Sequence, residues 1–168
     1  MDGEQEIKKA YASILMNDFE QAVEWFEQAI AIAPCNADFH HKLSITYARS
    51  NKLKPAVEHA SLAVRLVPGE EQYRHHLQHL QAKELIQQAE KYLEESEPRL
   101  WEAISSLKQA VALDCLSTDA WLMLGLAYDR LREYDQAVLA LKELLRLDPQ
   151  HEIGITLLRQ FTEKLSSI

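Results

Sequence analysis

Small and bulky side chains recur along this chain every 34 residues, and that repeat limits its fold more than any other feature. Pro34 and Pro68 lie 34 residues apart, and Ala22 and Ala56 precede them at the same distance. A repeat of this length typically holds two helices, which bury their apolar faces only by stacking against neighbouring repeats. The period therefore predicts an all-α chain built from antiparallel helix pairs.

The most complete copy of the pattern lies in the C-terminal part of the chain. Its matching positions are Trp121, Leu124, Gly125, Tyr128, Ala137, Leu141, Leu144 and Pro149. This spacing resembles the tetratricopeptide repeat family. The resemblance implies an α-solenoid, a superhelix of about four units, of which the third is irregular and has an extended first helix. A C-terminal capping helix is expected to end the array.

The same period divides the whole chain, predicted to be one domain over 1–168. The predicted units are 3–36, 37–70, 71–117 with an insertion, and 118–151, followed by a capping helix over 150–166. Helices are predicted over 3–16, 19–32, 37–50, 53–66, 70–95, 99–113, 118–131, 134–147 and 150–165. The segment 70–95 is long for a globular helix, but neither Gly nor Pro interrupts it. We expect one continuous helix there.

Each recurring class of side-chain size, small or bulky, has a packing role in the predicted helix pairs. Small residues such as Gly125 and Ser44 let paired helices approach closely, where a larger side chain would overpack. Aromatic residues fill the remaining space, and all three tryptophans, Trp25, Trp101 and Trp121, are expected to pack between helices. In the capping helix, Ile153 and Phe161 are expected to face inward.

Composition and charge exclude several classes of protein. The formal net charge is −8, from 26 acidic and 18 basic residues, which is the wrong balance for a nucleic-acid-binding protein. No apolar run approaches the roughly 20 residues that span a bilayer, and the acidic N-terminus does not resemble a secretory signal. Cys35 and Cys115 have no metal-binding or disulfide spacing. These features predict a cytoplasmic protein without membrane insertion.

No catalytic motif is found in the sequence. Four scattered glycines cannot form a phosphate-binding loop. His75 and His79 have a spacing compatible with a zinc pair, but no third ligand has a suitable position. We therefore expect no enzymatic activity, no cofactor and no metal.

The family resemblance also implies where a partner binds. First helices line the concave face of the array, at the second, fifth, ninth, twelfth and thirteenth position of each unit. The candidate partner-binding residues are Ile7, Tyr11, Ile14, His41, Ile45, Arg49, His75, His79, Ile86, Leu122 and Leu126. Most of these side chains are apolar, which favours a concave groove that binds a peptide or helix of another protein.

The charge pattern suggests a polar anchor for that partner. Residues 37–70 hold five basic residues and three acidic ones, although the chain as a whole is acidic. An acidic partner end is therefore expected near His41, Arg49 and His75. The family's clamp for acidic chaperone tails is not expected, because Ile7, Tyr11 and Ile45 occupy places that the clamp fills with polar residues.

Two other functions are compatible with the sequence. The apolar stripe and the long helix could pair with a second copy, which would make the protein a self-associating scaffold. A small acidic repeat protein could also be a secretion or assembly chaperone for a client protein.

Overall fold

The computed structural model describes residues 3–167, and this part of the chain contains nine helices and no strand. The helices are α1 (Glu4–Leu15), α2 (Phe19–Ile32), α3 (Ala37–Arg49), α4 (Leu53–Leu66), α5 (Glu71–Glu94), α6 (Leu100–Leu113), α7 (Thr118–Arg130), α8 (Tyr134–Leu147) and α9 (Glu152–Ser166). Each lies within two residues of the bounds predicted from the sequence. The all-α repeat fold is thus confirmed, and α5 is one continuous helix.

Three of the turns between paired helices have the same backbone geometry. Asn17, Asn51 and Arg132 have positive φ angles of 61°, 58° and 62°. The next residue in each turn donates its backbone N–H to a carbonyl five residues earlier, at 2.9–3.0 Å, from residues 18, 52 and 133 to residues 13, 47 and 128. These bonds satisfy the free carbonyls at the helix end. The sequence repeat is therefore also a repeat of backbone conformation.

Side-chain caps begin several of the helices. Asp18, Asn36 and Ser117 accept hydrogen bonds from backbone N–H groups in the first turns of α2, α3 and α7. His151 does the same for α9 through its ring nitrogen Nδ1, at 3.0 Å from the N–H of Gly154. Each cap satisfies a donor that would otherwise lack a partner, which stabilises the helix by about 1 kcal/mol.

The helices form two compact units, one up to Gln81 and the other from Ala82. In the first unit α1 packs on α2, α2 on α3 and α3 on α4. Phe26 and Leu43 are fully buried in its core. The small residues that let its paired helices approach closely are also fully buried: Ala10, Ala22, Ser44 and Ala56. The first part of α5 contacts α4 through Leu80, which packs against two of the buried alanines of α4.

The second unit contains the rest of α5 and all of α6 to α9 in a single core. Gly125 of α7 faces α8 so closely that a Cβ atom there would lie 3.1 Å from Leu141 Cγ. Ala103 and Ala137, the predicted small residues of the second helices, are fully buried. The predicted role of these small residues in close helix packing is confirmed.

Two packing predictions were wrong. Trp101 is 62% exposed, because it lies in the first turn of α6 on the side away from the core. Ile153 is also exposed, whereas Gly154 is buried against Leu144 of α8. Phe161 does face inward as expected and is almost fully buried. The core-facing stripe of α9 is thus displaced by one residue at its start.

Candidate partner-binding surface on the first helices

In the first of the two compact units, the first helices of the repeats are α1, α3 and the start of α5, and they lie side by side. The Nζ atom of Lys42 in α3 lies 5.6 Å from the centre of the Tyr11 ring in α1. The ring of His41 in α3 lies 4.7 Å from the ring of Tyr73 near the start of α5. Helix α3 therefore contacts both α1 and the beginning of α5.

The predicted binding residues of this unit differ widely in exposure. Tyr11 is 43% exposed, and Arg49, His75 and His79 are also exposed. Ile14 and Ile45 are half-buried. These are the predicted residues that a partner could contact without a rearrangement of the helices.

Two predicted residues of this unit are buried instead. Ile7 belongs to the core cluster that contains Phe26 and Phe39. His41 is only 5% exposed and packs between the rings of Tyr73 and His76. Both side chains contribute to packing between helices, so they offer no accessible surface to a partner.

The charged groups near Tyr11 are partly neutralised by each other. Lys42 and Asp38 form an ion pair one helical turn apart, at 2.5 Å. Burial opposes the charged form of Lys42, but the hydrogen bonds to Asp38 and Tyr11 outweigh it and raise the pKa of the lysine. Arg49 is different, because it forms no ion pair among the described residues and its guanidinium lies 6.0 Å from the Phe19 ring. It is the more accessible cation for an acidic group.

First helices are also adjacent in the second unit. Arg130 of α7 donates to the backbone carbonyl of Leu93 in α5, at 3.1 Å. On its other side α7 meets α9, where Lys164 and Asp129 form an ion pair at 2.6 Å. These polar contacts join the ends of the first helices across their shared face.

The predicted residues of the second unit again fall into two groups. Leu126 is 38% exposed and Leu122 is half-buried, so α7 presents an apolar surface. Ile86 is buried in the core with Ala89 and Leu107. Its place in the core removes it from the accessible surface.

Some exposed apolar side chains were missed by the sequence reasoning. Met16, at the end of α1, and Leu139, on α8, are both more than half exposed. The position of Met16 directly before the Asn17 turn is a signal that could have identified it, since residues at such a helix end lie outside the packed stripe.

Neither a metal-binding cluster nor a membrane-spanning helix is found in residues 3–167. No group of three or more His, Cys, Asp or Glu side chains there is arranged to hold a metal ion. None of the helices in this part of the chain has both the length and the apolar character needed to cross a membrane.

Comparison with known proteins agrees with this architecture. Tetratricopeptide repeat models match residues 7–35 and residues 118–151. No curated protein matches the chain. A crystal structure of MamA protein is 20% identical and covers 98% of this chain and 88% of its own, with a TM-score of 0.56.

More distant structures show the same fold. MamA from Desulfovibrio magneticus RS-1, residues 41 to the end, is 16% identical and covers 99% of this chain and 92% of its own, with a TM-score of 0.56. A structure of the APC/C hetero-tetramer Cut9–Hcn1 is 16% identical, with a TM-score of 0.50. It covers 95% of this chain and 29% of its own.

The repeats, the helix pairs and these matches define the class. The chain contains tetratricopeptide repeats at residues 7–35 and 118–151 and has the all-α helical repeat fold. Proteins of this class are protein-interaction scaffolds that generally lack catalytic activity, and the general role of this chain is that of a scaffold.

Proposed function

We propose that this protein is a non-enzymatic adaptor that binds a peptide or a helix of a partner protein on its first helices. The observation that supports the proposal is that apolar side chains are exposed on first helices in each of the two units. Tyr11 of α1 and Leu126 of α7 are both more than a third exposed. Ile14 of α1, Ile45 of α3 and Leu122 of α7 are half-buried. Apolar pockets of this kind bind the apolar face of an amphipathic segment.

An acidic group at one end of the partner is part of this proposal. Arg49 and His75 are exposed in the first unit and are suited to bind a carboxylate. His41 is not included, because its ring is buried and burial lowers its pKa, with the charge of Asp38 opposing that effect. A neutral buried imidazole is a poor partner for a carboxylate.

Charge substitution on the first helices tests the proposed function. We expect the double variant Tyr11→Glu/Leu126→Glu to lose capture of the partner by at least about tenfold, because a buried unpaired carboxylate costs more than 1.4 kcal/mol. Captured proteins from a native extract would be quantified by mass spectrometry against the wild type. Circular dichroism would verify that the variant is folded.

Second-helix residues provide the matched control. Ile32 of α2 and Leu139 of α8 are exposed apolar side chains, like the two residues tested, but they lie outside the first-helix face. Ile32→Glu/Leu139→Glu should therefore capture the partner as the wild type does. If this control lost capture of the partner while the first-helix variant retained it, the proposal would be contradicted.

Self-association is a second candidate function. Leu15 and Met16 at the end of α1 are 90% and 81% exposed, and Ile153 of α9 is exposed as well. Such side chains are commonly covered in an assembly. Sedimentation velocity distinguishes the candidates: a scaffold of copies would show a sedimentation coefficient that rises with protein concentration, whereas an adaptor would stay monomeric.

The proposed compartment is the cytoplasm. Cys35 and Cys115 are both exposed free thiols, as a reducing compartment favours. Labelling of these thiols with a maleimide in intact cells, followed by fractionation, would test the proposal.

A further inference from the structure

The first unit contains four histidines whose rings pack between helices. His40 and His41 of α3 are about 5% exposed, while His59 of α4 and His76 of α5 are half-buried. Histidine is the side chain that changes charge in the range of mildly acidic pH, and burial strongly disfavours its charged form. The contacts of each ring determine how a charge on it would affect the packing of the helices.

His41 has no polar contact that could stabilise a proton. Both of its ring nitrogens are buried without a hydrogen-bond partner. Its neighbours are the rings of Tyr73 and His76, the latter at 5.0 Å. The charged groups that face it are Asp38 and Lys42 of α3, and Glu70 directly before α5. Burial outweighs the attraction of the two carboxylates and lowers the pKa of His41.

His40 and His59 are joined by one hydrogen bond between their Nδ1 atoms. The Nε2 atom of His40 lies 3.0 Å from the carbonyl oxygen of Pro34, which can only accept, so His40 carries its proton there. Its Nδ1 atom is then the acceptor for the Nδ1–H of His59, at 3.0 Å. If both rings carried a charge, two N–H groups would face each other here and break the contact between α3 and α4.

The surroundings of His59 also oppose a charge. The ring of Tyr47 stacks on it at 5.8 Å, and the carboxylates that face it are Glu27 of α2 and Glu58 of α4. Burial and the neighbouring His40 ring lower the pKa of His59 despite these carboxylates.

His76 extends the arrangement to α5. Its Nε2 atom lies 2.8 Å from the Ser44 hydroxyl, which in turn donates to the carbonyl of Ala56 at 2.7 Å. Ser44 occupies the small position of the second repeat, so helices α3, α4 and α5 meet at this one hydroxyl. The histidine contacts therefore lie at the centre of the packing of the unit.

We propose that mild acid opens the first unit, because protonation of its buried histidines breaks the packing of α4 and the start of α5 on α3, while the second unit stays folded. The two units differ in this respect: His151, the one histidine of the second unit, is a helix cap in a turn and does not lie in a core. The protein would thus respond to pH in one unit only.

The direction of the pH effect on stability follows from the lowered pKa values of His41 and His59. In the unfolded chain His41 and His59 bind protons around pH 6.5, whereas in the folded unit they bind them only at lower pH. The stability that these two neutral rings give the first unit is therefore fully present above pH 6.5. It decreases as the pH falls from there towards the pKa values of the folded unit. In that range each histidine increases the unfolding equilibrium constant up to about tenfold per pH unit, or about a hundredfold for the pair.

Hydrogen exchange at two pH values tests this proposal in the full chain. Amide exchange would be followed by mass spectrometry at about pH 7.5 and about pH 5.5, where histidine changes charge, after correction for the intrinsic rate. Peptides from α3, α4 and the start of α5 should lose protection at least tenfold in acid. Peptides from α7 and α8 should keep theirs, and equal loss in both units would overturn the proposal.

Substitutions assign the effect to the buried rings. His41→Phe keeps an aromatic ring, and His59→Gln keeps an N–H donor for His40, so this double variant should stay protected in acid. The control His75→Gln removes an exposed histidine of the same unit and should remain acid-sensitive. An acid loss as large in the double variant as in the wild type would overturn the proposal.

A direct titration is informative even if the double variant fails to fold. Ring resonances of His41 and His59 in the wild type would be followed by NMR from neutral to acidic pH. We expect them to stay in their neutral form below pH 6.5 until the resonances of the folded unit disappear. Normal titration of both rings at about 6.5 in a unit that stays folded would refute the inference.

Discussion

Replacing Leu141 with alanine is expected to destabilise the second unit by about 2–5 kcal/mol. Leu141 is fully buried, and it fills the space that Gly125 leaves open on the facing helix. Alanine would leave a cavity with a glycine on its opposite side, where no side chain can move in to fill it. Urea denaturation, followed by the fluorescence of Trp101 and Trp121, would measure the change.

Leu139→Ala is the matched control for this substitution. Leu139 is the same residue type on the same helix, two positions away, and is 56% exposed. Its replacement should change the free energy of unfolding by less than about 0.5 kcal/mol. Equal losses for the two variants would show that the helices α7 and α8 do not pack through Leu141.

Replacing Phe26 with alanine is expected to destabilise the first unit by about 3–5 kcal/mol. Phe26 of α2 is fully buried and contacts the Tyr11 ring edge-on, with ring centres 6.0 Å apart. Its loss would remove the largest fully buried side chain among the described residues of the first unit. Trp25 is its neighbour in sequence, so its fluorescence in a Trp101→Phe/Trp121→Phe background would report on this unit alone.

Trp101→Ala, in the otherwise unchanged chain, is the control for loss of an aromatic ring. Trp101 is larger than Phe26 but largely exposed, and its removal should change stability by less than about 1 kcal/mol when followed by circular dichroism. A greater loss for Trp101→Ala than for Phe26→Ala would contradict the assignment of the core.

The helix pairs could be predicted from the sequence because their signals are local and recur. Ala22, Ala56 and Gly125 each appear at the position that the period requires, and all three are buried. The turns at Asn17 and Asn51 follow from residues that tolerate a positive φ angle. Arg132 adopts the same conformation without such a propensity, so there the packing of the flanking helices determines the turn.

The accessible part of the first-helix surface could not be predicted in the same way. Ile7 and Tyr11 are four residues apart and lie on one side of α1, yet Ile7 is buried and Tyr11 is exposed. Periodicity gives the direction of a side chain around its helix axis, but its depth depends on the neighbouring helices. His41 shows the same limitation, because its burial results from Tyr73 and His76 in the next repeat.

The division of the chain within α5 also lacks a sequence signal. No Gly or Pro interrupts the helix, so the sequence correctly predicts one continuous segment. One compact unit nevertheless ends at Gln81 and the other begins at Ala82, in the middle of this helix. That boundary reflects which cores the first and second parts of the helix pack into, which is tertiary information. A single domain over the whole chain therefore stays a prediction.

Site-specific photo-crosslinking tests the central claim that partners bind on the first helices. A photoreactive phenylalanine would replace Tyr11 or Leu126 on first helices and, in parallel, Ile32 or Leu139 on second helices, all four being exposed. After irradiation in a native extract, the crosslinked protein would be identified by mass spectrometry. We expect one partner to crosslink at Tyr11 and Leu126 only. Crosslinks of that partner confined to Ile32 and Leu139 would contradict the claim.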